Sequence, residues 1–119
     1  MEERVLDMPM RKVHALEILK GEKVREYRAF TDHWAVRICE FNDPDDKDAA
    51  TGIRHFDAVH FHPYNKSWYL DVEVEAIDIY DVNEDFINDV GGEVDVEIGD
   101  TVIVISLGKV IATNLSINP

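Results

Sequence analysis

Lys23, Glu26 and Arg28, in the run Gly21-Glu22-Lys23-Val24-Arg25-Glu26-Tyr27-Arg28, are the residues of this chain best spaced to do chemistry together. If 24–29 is a strand, Glu26 and Arg28 project from one face, with Lys23 at its mouth. A carboxylate between an ammonium and a guanidinium can accept from an amine, orient the guanidinium, or form an ordinary surface ion pair worth under about 1 kcal/mol. Spacing alone does not choose among these.

A second constellation is His60 and His62, two residues apart on a strand and so on one face. That spacing can bring two imidazoles to one metal ion, but a third ligand among His14, His33 and His55 is not specified. The pair therefore reads as rim or core histidines, with no metal and no cofactor expected. His62 precedes Pro63-Tyr64, which places it within reach of a turn at a cleft. Tyr64, Trp68 and Tyr69 offer aromatic faces, and stacking on a base contributes about 1–3 kcal/mol. Tyr64, in the turn, is the better stacking platform, since Trp68 alternates with Leu70 and Val72 as a core residue would. Cys39 has no arranged base beside it and reads as a small buried apolar residue. Asn42–Gly52 carries four aspartates but lacks the glycine and terminal glutamate of an EF-hand, so it reads as a solvated loop. Walker loops, dinucleotide fingerprints, nucleophile elbows and zinc motifs do not occur in the sequence.

Charge narrows the partners. The 119 residues carry 25 acidic against 12 basic groups, a net charge of −13. Residues 1–28 hold seven basic and six acidic groups, so the excess lies in 29–119. An acidic chain repels nucleic acid at long range, which excludes extended coating of a duplex and leaves only a local basic cluster. Lys12, Lys20, Lys23, Arg25 and Arg28 form that cluster. A protein partner meeting the acidic surface is the third class of function that the charge allows. The apolar fraction of 45% with six Gly and four Pro predicts a folded chain, expected to be one domain over 1–119. One cysteine, an acidic N-terminus and no run of roughly 20 apolar residues lead to the expectation of a cytoplasmic protein without a membrane span.

The elements that must position these residues follow from periodicity. Residues 4–8 predict a short strand closed by Pro9, and Arg11–Lys20 a helix ended by Gly21. Val24–Ala29 predicts a strand. Thr31-Asp32 predicts a helix cap, with Trp34, Ile38 and Phe41 as the apolar stripe. His55–His62 and Trp68–Ile77 alternate as strands, the second with Trp68, Leu70, Val72 and Val74 on the core face. Asp81 with Glu84 reads as a capping-box variant opening a helix to Val90. Val94–Ile98 reads as a strand, Gly99-Asp100 as a turn, Thr101–Leu107 as a covered strand and Lys109–Ala112 as a last short one. The expected class is α+β: a small, mostly antiparallel β-barrel with two or three flanking short helices.

The run Gly21-x-Lys23-x-x-Glu26-x-Arg28 after an apolar helix resembles the hallmark G-x-K-x-x-E-x-R of the ASCH domains, which share the PUA-like barrel. The resemblance extends to His60-Phe61-His62, the turn residue Tyr64, the alternating strand 70–77 and a late V-x-x-G-D pattern at Val96–Asp100, covering roughly residues 8–112. It implies a cleft floored by the motif strand that takes a nucleoside, nucleotide or short single-stranded RNA, with Lys23, Glu26, Arg28, Tyr64 and His62 as ligand-binding residues. Some ASCH members are small amidohydrolases that deacylate acetylcytidine, using the motif lysine, a threonine three residues later and a glutamate from elsewhere. The resemblance would then make Lys23 and Glu26 the catalytic pair, but Glu26 stands at the threonine position, so a threonine-based mechanism does not transfer.

Overall fold

The computed structural model describes residues 4–41, 50–90 and 95–116. Strands β1 (Val5–Pro9), β2 (Arg25–Ala29), β3 (Cys39–Phe41), β4 (Ala50–Ile53), β5 (Ala58–His62), β6 (Leu70–Asp81) and β7 (Thr101–Thr113) alternate with helices α1 (Lys12–Leu19), α2 (Asp32–Ile38) and α3 (Glu84–Val90). Hydrogen bonds order five strands β1-β5-β6-β7-β2, while β3 and β4 form a separate pair. The class is α+β with a mixed sheet. β1 runs parallel to β5, the exception to the antiparallel expectation, and β5 runs antiparallel to β6. No helix among the described residues is long and apolar enough to cross a membrane.

The chain forms two compact units, each built from separate stretches. The first takes 1–26, 55–76 and 105–119. Alternation sorts its strands as expected: Leu6, Met8, Val59, Phe61, Trp68, Leu70, Val72, Ile105 and Leu107 are buried, as are Ala15 and Ile18 of α1. Val74, the fourth residue of the expected core face, is half-buried. Within this unit β7 does not stop at Leu107, as its sequence predicts, but runs on through Gly108. A Cβ at Gly108 would stand 3.0 Å from the Cβ of Glu73, so the glycine admits side chains of β6 rather than breaking the strand.

The second unit takes 27–54 and 77–104, with Tyr27, Val82, Val90, Val102 and Val104 as a buried cluster and Phe86, Ile87 and Val96 against it. Here three local expectations give way. α2 ends at Ile38, and Phe41 lies in β3 instead of on the helical stripe, because Arg54 captures the helix end. The Arg54 amide donates to the Ile38 carbonyl and its Nε to the Cys39 carbonyl at 2.9 Å. Asn83, not Asp81, caps α3: its Oδ1 accepts from the Phe86 amide, while Asp81 ends β6 and accepts from the Thr101 hydroxyl. Residues 95–98 form no strand, because Asp100 Oδ2 accepts from the Glu97 amide and bends the chain into the turn at Gly99. Val94 and most of the aspartate-rich loop lie outside the described residues, and Ala50–Gly52 belongs to β4.

One local device sets up the site. Beyond α1, the Gly21 amide donates to the Ile18 carbonyl and the Glu22 amide to the Glu17 carbonyl, a Schellman closure, with Gly21 at φ +80°. The Lys23 amide reaches the same Glu17 carbonyl at 3.2 Å. Replacing Gly21 with Ala meets open space but forces a side chain into left-handed backbone. The expected cost is about 1–2 kcal/mol, read as a lowered urea midpoint with an unchanged slope.

Candidate functional site

Lys23 and Glu26 come together. The Lys23 Nζ stands 3.5 Å from Glu26 Oε1, and their side chains are only 13% and 5% exposed. The closure after α1 delivers Lys23 by tying its backbone to Glu17, and β2 delivers Glu26 on the face of the strand that turns inward. A carboxylate so covered is costly to desolvate unless a cation faces it, which distinguishes this pair from the surface ion pair that spacing alone allows. The exposed Arg25 and Val24 beside them point outward. Lys12 and Lys20 of the basic cluster are exposed at the start of α1 and just past its end.

Arg28 belongs to the second unit, half-buried, where its Nη1 donates to the Tyr27 carbonyl at 3.4 Å. It lines a pocket of about 360 Å³ with Tyr27, Phe30, Asp95, Asp100 and Thr101. The pocket mixes one guanidinium, two carboxylates and two aromatic rings, a lining suited to a small polar ligand with a flat apolar part. Asp95 comes from the segment expected to be a strand and Asp100 from the turn expected after it.

Tyr64 is 92% exposed in the turn after β5. Trp68 is buried, and Tyr69 stacks on His60 with ring centroids 6.0 Å apart. His62 is buried, with Nδ1 2.8 Å from the Pro63 carbonyl and Nε2 2.9 Å from Asp7 Oδ2. The Pro63 carbonyl and then the Asp7 carboxylate hold its imidazole above the ordinary histidine range. His60 bonds through Nδ1 to Asp71, and its ring lies 5.5 Å from that of His62. Among the described residues no group of three His, Cys, Asp or Glu side chains is arranged to hold a metal ion. Cys39 is buried, and burial raises its thiol against the opposing pull of Arg54, so it is an inert apolar residue.

Asp7 and Asp71 are the partners of the two histidines that sequence reasoning missed. Asp7 sits between the buried Leu6 and Met8, and Asp71 between the buried Leu70 and Val72. Alternation therefore places both carboxylates on the polar face, but only the pairing Asp7↔His60↔Asp71 brings them to the histidines. Comparison with family models, with curated proteins and with solved structures finds no match to this chain.

The coupling of Lys23 and Glu26 is measurable. In a double-mutant cycle of Lys23→Met and Glu26→Gln followed by urea unfolding, each single change is expected to destabilise the fold. The pair should lose less than the sum, with an interaction energy of about 0.5–3 kcal/mol. Strict additivity would mean that the two groups do not interact.

Proposed function

We propose that this chain is a binding module for a nucleoside- or nucleotide-sized ligand, including short single-stranded RNA, with Lys23 and Glu26 at the centre of recognition. The observation that carries the reading is the largely buried ion pair: two opposite charges, positioned by a helix closure and a strand, that a surface role does not require. An ionised glutamate accepts from an exocyclic amine and repels phosphate, whereas a lysine contacts carbonyl or phosphate oxygens by reach and charge. The division favours a base edge at the glutamate. Within the same unit Tyr64 supplies an exposed ring for stacking and His62 an imidazole beside the same turn. The net charge of −13 restricts the ligand to something compact, since a long polyanion would be repelled by everything beyond the basic N-terminal stretch.

The ASCH resemblance supports the same class of ligand, and with it the closed PUA-like barrel belongs to this proposal. The amidohydrolase reading shares Lys23 and Glu26 and differs in its outcome. Release of acetate from acetylcytidine by the intact protein would favour it over simple binding.

Binding is tested by titrating nucleotides and short single-stranded RNA at two salt concentrations. Lys23→Ala is expected to weaken binding and to reduce the salt slope by about one. Glu26→Gln is expected to change which base is preferred, because an acceptor-only group becomes one that also donates. Equal binding by wild type and Lys23→Ala at low salt would leave the acidic surface, and a basic protein partner, as the surviving explanation.

A further inference from the structure

β1 lies at the edge of the strand order and pairs in parallel with β5, Val5 opposite Ala58 through Pro9 opposite His62. Side-chain links reach it at both ends. At the start, the Arg4 amide donates to Asp57 Oδ2 at 2.9 Å while the Asp57 amide donates to the Arg4 carbonyl. At the far end, His62 bonds Asp7, and the Met10 amide donates to the His62 carbonyl.

The His62 end has a particular chemistry. Its ring has two nitrogens facing two acceptors, the Pro63 carbonyl and the Asp7 carboxylate. A neutral imidazole carries one N–H, so one acceptor would have to face a lone pair. The imidazolium satisfies both. Pro63 is the next residue in the chain and stays beside the ring, whereas Asp7 is 71% exposed on another strand and can leave. Losing the proton therefore gives up the bond between strands.

We infer that β1 is a proton-latched strand: protonated His62 holds Asp7 and fastens β1 to β5, and deprotonation loosens the strand at this edge. The latch shares His62 with the ligand reading above but does not rest on it, since it is argued from the bonds of His62 to Pro63 and Asp7.

The charged and titratable groups around the latch are few. β1 contributes Asp7, β5 contributes His60, Tyr69 stands just before β6, and β6 contributes Asp71 and Glu73, the last 3.8 Å from Lys109 of β7. Lys66 of the turn opposes the cation, and Asp7 supports it. Because the folded imidazole titrates above its ordinary range, its contribution is complete below the ordinary value and is lost as pH rises through the raised one. Asp57 works with the opposite sign. The Arg4 amide, then His55, lowers its carboxyl, so its contribution is present above the ordinary carboxylate value and is lost as pH falls through the lowered one. β1 is fastened most firmly between the two.

Hydrogen exchange with NMR detection tests this on the intact chain, using protection factors so that the intrinsic pH dependence of exchange cancels. From about pH 5 to about pH 8, protection of the Met10 amide and the β1 amides should fall by up to about tenfold per unit above the ordinary imidazole value, while β6 amides at 70–76 hold. Asp7→Asn should give lower β1 protection at the acidic end and a flatter dependence. His55→Gln should keep the wild-type slope, because His55 acts at the other end of the strand. A flat wild-type profile, the same slope in Asp7→Asn as in wild type, or loss of the slope in His55→Gln would each overturn the latch. So would β1 and β6 losing protection together, since that reports unfolding of the whole unit.

Discussion

A carboxylate placed on the inner face of a strand must be met by a cation, and most of what is distinctive in the first unit follows from meeting it. Glu26 is 4% exposed. Lys23 lies three residues earlier and can reach it only because α1 stops abruptly and the chain reverses at Gly21. The Glu17 carbonyl accepts from both Glu22 and Lys23, so the helix end, the reversal and the lysine form one hydrogen-bonded piece. Removing the cation would leave a covered charge unanswered, which costs more than the attraction itself returns. Apolar residues of similar volume often replace a buried ion pair without loss of stability, so such a pair is weak evidence of a purely stabilising role.

The parts legible in the sequence are those set by neighbours within a few residues. The helix stop at Gly21 was legible because left-handed backbone selects glycine. The inward set Trp68, Leu70 and Val72 was legible because a strand has a period of two. Long-range partners decided the failures. Phe41 follows a good helical stripe, but Arg54 takes the carbonyls that another helical turn would have used. Val96 and Ile98 alternate like a strand, but the Asp100 side chain offers the Glu97 amide a closer acceptor. Of the candidate site, spacing put Glu26 and Arg28 on one strand face with Lys23 at its mouth but did not show the burial of Lys23 with Glu26. The carboxylates on the histidines were not legible at all, since register is a property of two strands.

The electrostatics of the chain are organised by proximity rather than by total charge. The acidic excess sits in residues 29–119, yet the cations that do something specific are individually matched: Lys23 to Glu26, His62 to Asp7, Lys109 to Glu73. The first two matches are partly sheltered and resist salt, while the third is open to solvent and contributes little. Added salt should therefore relax the general self-repulsion of the chain before it disturbs these sheltered pairs.

The parallel pairing of β1 with β5 also has a consequence in time. Val5 finds its partner at Ala58, so β1 leaves the ribosome long before the strand it must join exists. At about 5–20 residues per second the wait is roughly 3–10 s. During that interval Leu6 and Met8, both buried in the finished fold, have no sheet to cover them. Arg4, Asp7 and Arg11 flank and interrupt this short apolar segment, the pattern of charges that opposes aggregation of a strand before its partner exists.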